Sequence, residues 1–176
     1  MRRAQTDHRH RSHQHIERCA PGFEPVVQRA RRAFQWGRGG SLCVIHQGEV
    51  VVDTWGGWAD RAAGRPWTRD TLGVAWSTTK GMVSLAAHML VERGALALDH
   101  PVAEYWPEFA AEGKAELPVR WLLTHEAGLS AIGTRMPFGS LSDWDAMTAA
   151  LAAQAPWWEP GTGHGYHGVT YGHLVG

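Results

Sequence analysis

Apolar and polar positions set two rhythms along this chain, short β-branched runs first and helical spacing afterwards. In "SLCVIHQGEVVVDTWGGW" two β-branched runs flank Gln47-Gly48-Glu49, which predicts a β-hairpin. Before it, "EPVVQRARRAF" (24–34) reads as a helix with Pro25 suited to the first turn and Arg29, Arg31 and Arg32 on a wet face. After it, "GWADRAAGRPWTRDTLG" is loop-like. Then Met82, Val83, Leu85, Ala86, Met89 and Leu90 fall at helical spacing, Ser77 stands at the start and Arg93-Gly94 gives a stop signal. The pattern reads as a buried helix. "LDHPVAEYWPEF" predicts a short helix with turns, and "LPVRWLLTHEAGL" a helix closing near Gly128. "SDWDAMTAALAAQA" predicts another, with Ser142 as cap and acids in its first turn. A Gly-rich turn and the start of a last helix, "PWWEPGTGHGYHGVTYGHLVG", end the sequence. Strands first and helices later argue for an α+β fold rather than a doubly wound sheet. One hairpin is not a stable sheet, so further strands are expected outside these segments.

Composition narrows the function. The 176 residues suffice for one compact domain, and the formal charge is zero, so nothing points to nucleic acid or an anionic membrane. No apolar run nears the ~18 residues of a spanning helix. Residues 1–20 are His- and Arg-rich without periodicity and predict a disordered arm; His8, His10, His13 and His15 lack the carboxylate or thiol framework of a metal site. The basic start has no apolar segment of a signal peptide behind it, so the chain reads as cytoplasmic. Cys19 and Cys43 are too few for a disulfide framework and read as free thiols.

The chemistry lies in "WSTTKGMVSLAAHML". Residues three apart on a helix share a face, so Lys80 can lay its amine beside the Ser77 hydroxyl. A serine hydroxyl is a weak nucleophile until a neighbouring base takes its proton, and a lysine is such a base only if burial or nearby charge lowers its pKa. A helix N-terminus adds N–H groups that favour developing negative charge. The pattern suits acyl transfer through a serine ester. With seven Ser and two Lys, chance placement gives roughly 0.1 such pairs.

Five segments, "GEVVVDTWGGWAD", "STTKG", "YWPEFAAEGK", "LLTHEAGL" and "YHGVTYG", occur in one order. In that order the chain from about residue 22 to 176 resembles the serine β-lactamase and penicillin-binding-protein superfamily, in its class C-like branch with the family VIII carboxylesterases. The resemblance implies an antiparallel sheet flanked by helices plus a helical region. It implies Ser77 as nucleophile, Lys80 as its proton partner and Tyr166 as the tyrosine of the second motif. The Ser77 backbone N–H would be one oxyanion donor, and a late strand would give the other. The family's Tyr-x-Asn asparagine is Gly168 here, which favours esters over lactams. The family's third motif, a Lys-Thr-Gly, His-x-Gly or Trp-x-Gly segment on a late strand, does not occur, so the chain reads as a fragment lacking C-terminal strands.

Other candidates read as structural. Tyr171 is second to Tyr166; His125 is a capping or packing residue, His88 a core histidine, His164 and His167 shape the pocket, Asp143 and Asp145 start a helix, and Glu104 and Glu108 form a wet face. The expected function is hydrolysis of a small-molecule carboxylic ester by Ser77, Lys80 and Tyr166, without metal or organic cofactor. A β-lactamase or D-Ala-D-Ala peptidase of the same fold is one alternative; an inactive remnant or binding module is another.

Overall fold

In the computed structural model, residues 14–36 and 39–176 are described. They form two compact units that meet in sequence at Val74 and Ala75.

The first unit is a small sheet with one helix. The expected hairpin joins β2 (Gly39–His46) to β3 (Glu49–Asp60). Its two-residue loop has Gln47 at φ 50° and Gly48 at φ 82°, the left-handed pair whose twist matches that of the flanking strands. The sheet does not stop at the hairpin. Gln14–Cys19, placed in the disordered arm by its polar composition, is strand β1 and pairs antiparallel with β3, Ile16 opposite Thr54. The short β4 (Arg65–Pro66) adds to the far end of β3 within the segment read as loop. The strand order is therefore β1-β3-β2, with β4 also on β3. A polar segment of this kind becomes a strand because a partner strand far away in sequence satisfies its backbone. His15 lies in β1, stacked on Trp55 with ring centroids 4.4 Å apart and bonded to Glu17; the other three histidines of the arm lie outside the described residues.

Helix α1 (Glu24–Trp36) buries Val27, Ala30 and Phe34, one stripe at helical spacing, and leaves Arg29, Arg31 and Arg32 exposed. The fully buried Thr54 hydroxyl donates to the His15 carbonyl at 2.6 Å and accepts from Gln14 Nε2 at 3.0 Å, so this buried hydroxyl is satisfied both as donor and as acceptor.

The second unit is helical. A 3₁₀ turn, Trp76–Thr78, leads into α2 (Thr79–Glu92). Arg93 caps α2, and Gly94 at φ 70° lets Ala95 N–H reach the Leu90 carbonyl and Gly94 N–H the Val91 carbonyl, a Schellman stop at the expected place. Contrary to a buried helix, only Ala87 of α2 is buried among the described residues, and Met82, Leu85, Met89 and Leu90 are exposed. Two 3₁₀ turns, Val102–Glu104 and Pro107–Ala110, replace the short helix expected at 98–109, with Glu104 and Glu108 in solvent. The helix expected over 117–129 is only α3 (Val119–Leu123), because Pro118 starts it and the chain leaves helical geometry at Thr124. Helix α4 (Trp144–Ala153) is capped by Asp143, whose Oδ1 accepts from Ala146 N–H at 3.0 Å; Ser142, the expected cap, closes a 3₁₀ turn one residue earlier. The chain ends in α5 (Tyr171–Val175). The core of this unit is Val102, Phe109, Leu117, Val119, Leu122, Ala127, Leu129, Leu151 and Leu174. All strands among the described residues lie in the first unit.

Candidate active site

Ser77, Lys80 and Tyr166 come together in the second unit. Trp76, immediately before the serine, holds φ 47°, a left-handed conformation that bulky residues rarely adopt. It turns the chain sharply into the 3₁₀ turn that carries Ser77. Lys80 follows in the first turn of α2, and its Nζ lies 3.3 Å from Ser77 Oγ, as their spacing requires. The same ammonium donates to the Gly168 carbonyl at 2.8 Å, an 88-residue step in sequence. Two of its three donors are thus directed, one at the serine and one at the loop that bears Tyr166. No side chain caps the start of α2, since Thr78 makes no capping bond.

That loop is built around one residue. His125, at φ 65°, accepts the Gly165 N–H on its carbonyl at 3.0 Å and the His167 N–H on its ring Nδ1 at 3.1 Å. The residues on both sides of Tyr166 are therefore bonded to His125. His167, fully buried, bonds the Gly165 carbonyl through Nδ1 at 2.6 Å and accepts the Leu129 N–H on Nε2 at 2.9 Å. Gly165 has to be glycine, because a Cβ there would stand 2.4 Å from the Trp158 ring. Gly168 N–H closes the turn on the Tyr166 carbonyl at 3.0 Å.

Tyr166 is half exposed, and its ring centroid lies 5.0 Å from Lys80 Nζ. Hydrogen bonding with the Ser77 side chain, then with that of Lys80, draws its phenol below the ordinary pKa; burial opposes this, and the charge of Lys80 adds to it. Tyr171, the second candidate, is buried, its hydroxyl lies 3.5 Å from the Lys80 carbonyl, and burial pushes its phenol up. The two phenols are thus shifted in opposite directions, Tyr166 down and Tyr171 up. Burial first, then His164 and Lys80, lowers the pKa of His125; burial also lowers that of His167.

The remaining candidates stay at a distance from this chemistry. His88 is exposed rather than in the core, with Nδ1 2.8 Å from the Ser84 carbonyl one turn back. His164 meets His125 edge-on at 5.7 Å. Among the described residues no cluster of three or more His, Cys, Asp or Glu could hold a metal ion. The carbonyl of Gly168 was not visible as a partner in the sequence, where glycine showed only the loss of a side chain.

The family model described as Beta-lactamase matches residues 27–176. Esterase/beta-lactamase LipL of Mycobacterium tuberculosis is 42% identical over 158 residues, 88% of this chain and 36% of that protein. A family VIII carboxylesterase crystal structure superposes with TM-score 0.81 at 43% identity, over 93% of this chain and 45% of the other. A penicillin-binding protein homologue from Caulobacter crescentus gives TM-score 0.81 at 40% identity, over 92% and 44%. The chain thus spans less than half the length of these relatives.

Proposed function

Since this chain belongs to the beta-lactamase family, we propose that its residues serve a serine hydrolase that cleaves carboxylic esters through an acyl-enzyme on Ser77. Its architecture, an antiparallel sheet with helices, is that of the serine β-lactamases and penicillin-binding proteins. The observation that carries the reading is the position of Lys80, 3.3 Å from the Ser77 hydroxyl and 5.0 Å from the Tyr166 ring.

Ser77 Oγ attacks the ester carbonyl carbon while its proton passes to the Tyr166 phenolate. Lys80 favours that phenolate by hydrogen bond and charge. The carbonyl electrons move to oxygen, and the Ser77 backbone N–H, in the 3₁₀ turn that leads into α2, stabilises the oxyanion. The carbonyl re-forms, the C–O bond to the alcohol breaks, and the alkoxide takes the proton from Tyr166. Water then attacks the acyl-enzyme with the same proton traffic, releasing the carboxylic acid and restoring the Ser77 hydroxyl. These steps use side chains, the Ser77 backbone N–H and water.

Gly168 favours esters over lactams. It has no side-chain amide to offer an acylamino group, and its carbonyl is already bonded to Lys80. LipL carries both activities in its name, so the lactam reading is kept as an outcome of the test. The experiment is labelling with a fluorophosphonate probe, located by peptide mass spectrometry, beside turnover of a short-chain p-nitrophenyl ester and of nitrocefin. Labelling on Ser77 that vanishes in Ser77→Ala, with ester turnover above nitrocefin turnover, is the expected result. Nitrocefin turnover above ester turnover assigns a lactamase instead. Folded protein with no Ser77 adduct assigns a binding module without the chemistry and overturns the proposal.

A further inference from the structure

We infer that His125, in its neutral form, is the positioning residue that holds Tyr166 at Ser77 and Lys80, and that protonating its ring releases the Tyr166 loop. The inference rests on the role proposed for Tyr166, and it stands on geometry. His125 accepts a backbone N–H from each side of Tyr166, from Gly165 on its carbonyl and from His167 on its ring. Its ring also packs edge-on against Tyr166, centroids 4.9 Å apart.

The hydrogen bonds dictate the tautomers. Nδ1 of His125 accepts the His167 N–H, so it carries no proton and the neutral ring holds its hydrogen on Nε2. His167 has the opposite tautomer, with Nδ1–H donating to Gly165 and Nε2 accepting from Leu129. The two rings stack at 5.4 Å and an interplanar angle of 27°. A proton on His125 Nδ1 sets a donor against the His167 N–H and leaves that amide without an acceptor. The Gly165–Gly168 turn then loses the bond that fixes its far side.

The surroundings work against that proton at neutral pH. The groups that face His125 are Lys80 from α2, His164, Tyr166 and His167 from the loop, and Tyr171 from α5. Burial first, then His164 and Lys80, disfavour a positive charge on the ring. Glu126, the adjacent carboxylate, is taken by the Thr124 hydroxyl. The neutral form therefore prevails near neutrality, and acid is needed to break the arrangement.

The backbone of His125 suggests a decisive substitution. Asn tolerates the left-handed conformation found here, and its Oδ1 branches from Cγ as the histidine Nδ1 does, so it accepts a hydrogen bond without titrating. His125→Asn keeps the acceptor and removes the proton; His125→Leu removes both. The chain has three tyrosines, so ring-labelled 13Cζ resonances of Tyr105, Tyr166 and Tyr171 can be followed one by one, Tyr166 being assigned by its loss in Tyr166→Phe.

Between pH 8 and pH 5 the unsubstituted protein should show one step in the Tyr166 resonance, shared with the imidazole 15N signals of His125. His125→Asn should keep the Tyr166 position of pH 8 and lose the step. His125→Leu should move Tyr166 to the position of a free tyrosine at pH 8, while Tyr105, whose hydroxyl accepts the Ala97 N–H at 2.9 Å, stays in place and reports that the unit is folded. The rate of fluorophosphonate labelling should lose about tenfold more between pH 8 and pH 5 in the unsubstituted protein than in His125→Asn. A step that persists in His125→Asn overturns the inference, and so does an unmoved Tyr166 resonance in His125→Leu. If Tyr166→Phe labels as fast as the unsubstituted protein, the role of Tyr166 fails while the resonance experiment still decides what positions it.

Discussion

Helices α2 and α4 lie in the same unit and end in opposite ways. The N-terminus of α2 has no side-chain cap, and the lysine in its first turn serves two hydroxyls, those of Ser77 and Tyr166, and one backbone carbonyl, that of Gly168. In α4 both ends are closed. Asp143 takes a first-turn N–H, and Lys114, arriving from a distant turn, closes the other end. Its Nζ donates to the carbonyls of Ala111 at 2.8 Å, Ala152 at 3.0 Å and Gln154 at 2.6 Å. It is fully buried over the Phe109 ring, and burial draws its pKa down against the opposing charge of Glu112. The chain's two lysines therefore illustrate two uses of one group. An ammonium whose three donors all meet backbone carbonyls is fixed and has nothing to offer a substrate. One bonded to two side-chain hydroxyls and a single carbonyl at an open helix start is placed where the proposed chemistry needs it.

The strongest way to break the comparison is to remove each amine. Lys80→Ala should slow fluorophosphonate labelling of Ser77 about a thousandfold, within the range by which general acid–base groups act, and leave the thermal midpoint nearly unchanged. If labelling persists at the original rate, Lys80 has no part in activating Ser77 and the two lysines differ only in burial. Tyr166→Phe should follow with a loss of about a hundredfold, since Lys80 and the serine stay in contact.

Lys114→Met is the counterpart. It fills similar volume but leaves the Ala152 and Gln154 carbonyls without donors, so chemical denaturation should show a loss of about 3 kcal/mol. Labelling per folded molecule should be unaffected. A stable Lys114→Met protein would mean that water serves these carbonyls equally well, and that the lysine does not close α4.

Acid offers a milder probe of the same unit. His125 and His167 have lowered folded pKa values, so the unfolded chain binds more protons than the folded one below about pH 6.5. Their contribution to stability is complete above that value and falls as the pH drops below it. Denaturation midpoints measured from pH 7.5 down to pH 5 should decline, and the decline should shrink in His125→Asn. A flat profile would show that neither ring is held neutral by the fold.

Local signals made parts of this legible in the sequence. Ser77 and Lys80 are three residues apart, so their contact follows from helix geometry alone, and Gln47-Gly48 between β-branched runs specifies its own turn. What could not be read depends on distant partners. Gln14–Cys19 is polar and becomes a strand only because β3 lies beside it. The Gly168 carbonyl meets Lys80 across 88 residues, and a glycine in a sequence announces no such role. His125 gave the opposite difficulty. Its place at the end of a helical run fitted a capping or packing role; it sits beyond the end of α3 in a left-handed conformation, packs its ring on Tyr166 and accepts an N–H from each side of that residue.

The smallest effect tests the capped end of α4. Ser142 and Asp143 are both good capping residues one position apart, and sequence favours neither strongly. The choice is made by the 3₁₀ turn Ser140–Ser142, which occupies Ser142 and leaves Asp143 in extended geometry at φ −96° and ψ 96°, the backbone an N-cap needs. Asp143→Ala should therefore cost about 1 kcal/mol, and Ser142→Ala a few tenths at most. Labelling of Ser77 should be unchanged in both. Equal losses in the two variants would mean that the cap is shared and the end of α4 is softer than its hydrogen bond suggests. A loss confined to Asp143→Ala would fix the contrast with α2, whose open start lies beside Ser77 and whose first turn holds no acid that would oppose the negative charge of the proposed oxyanion.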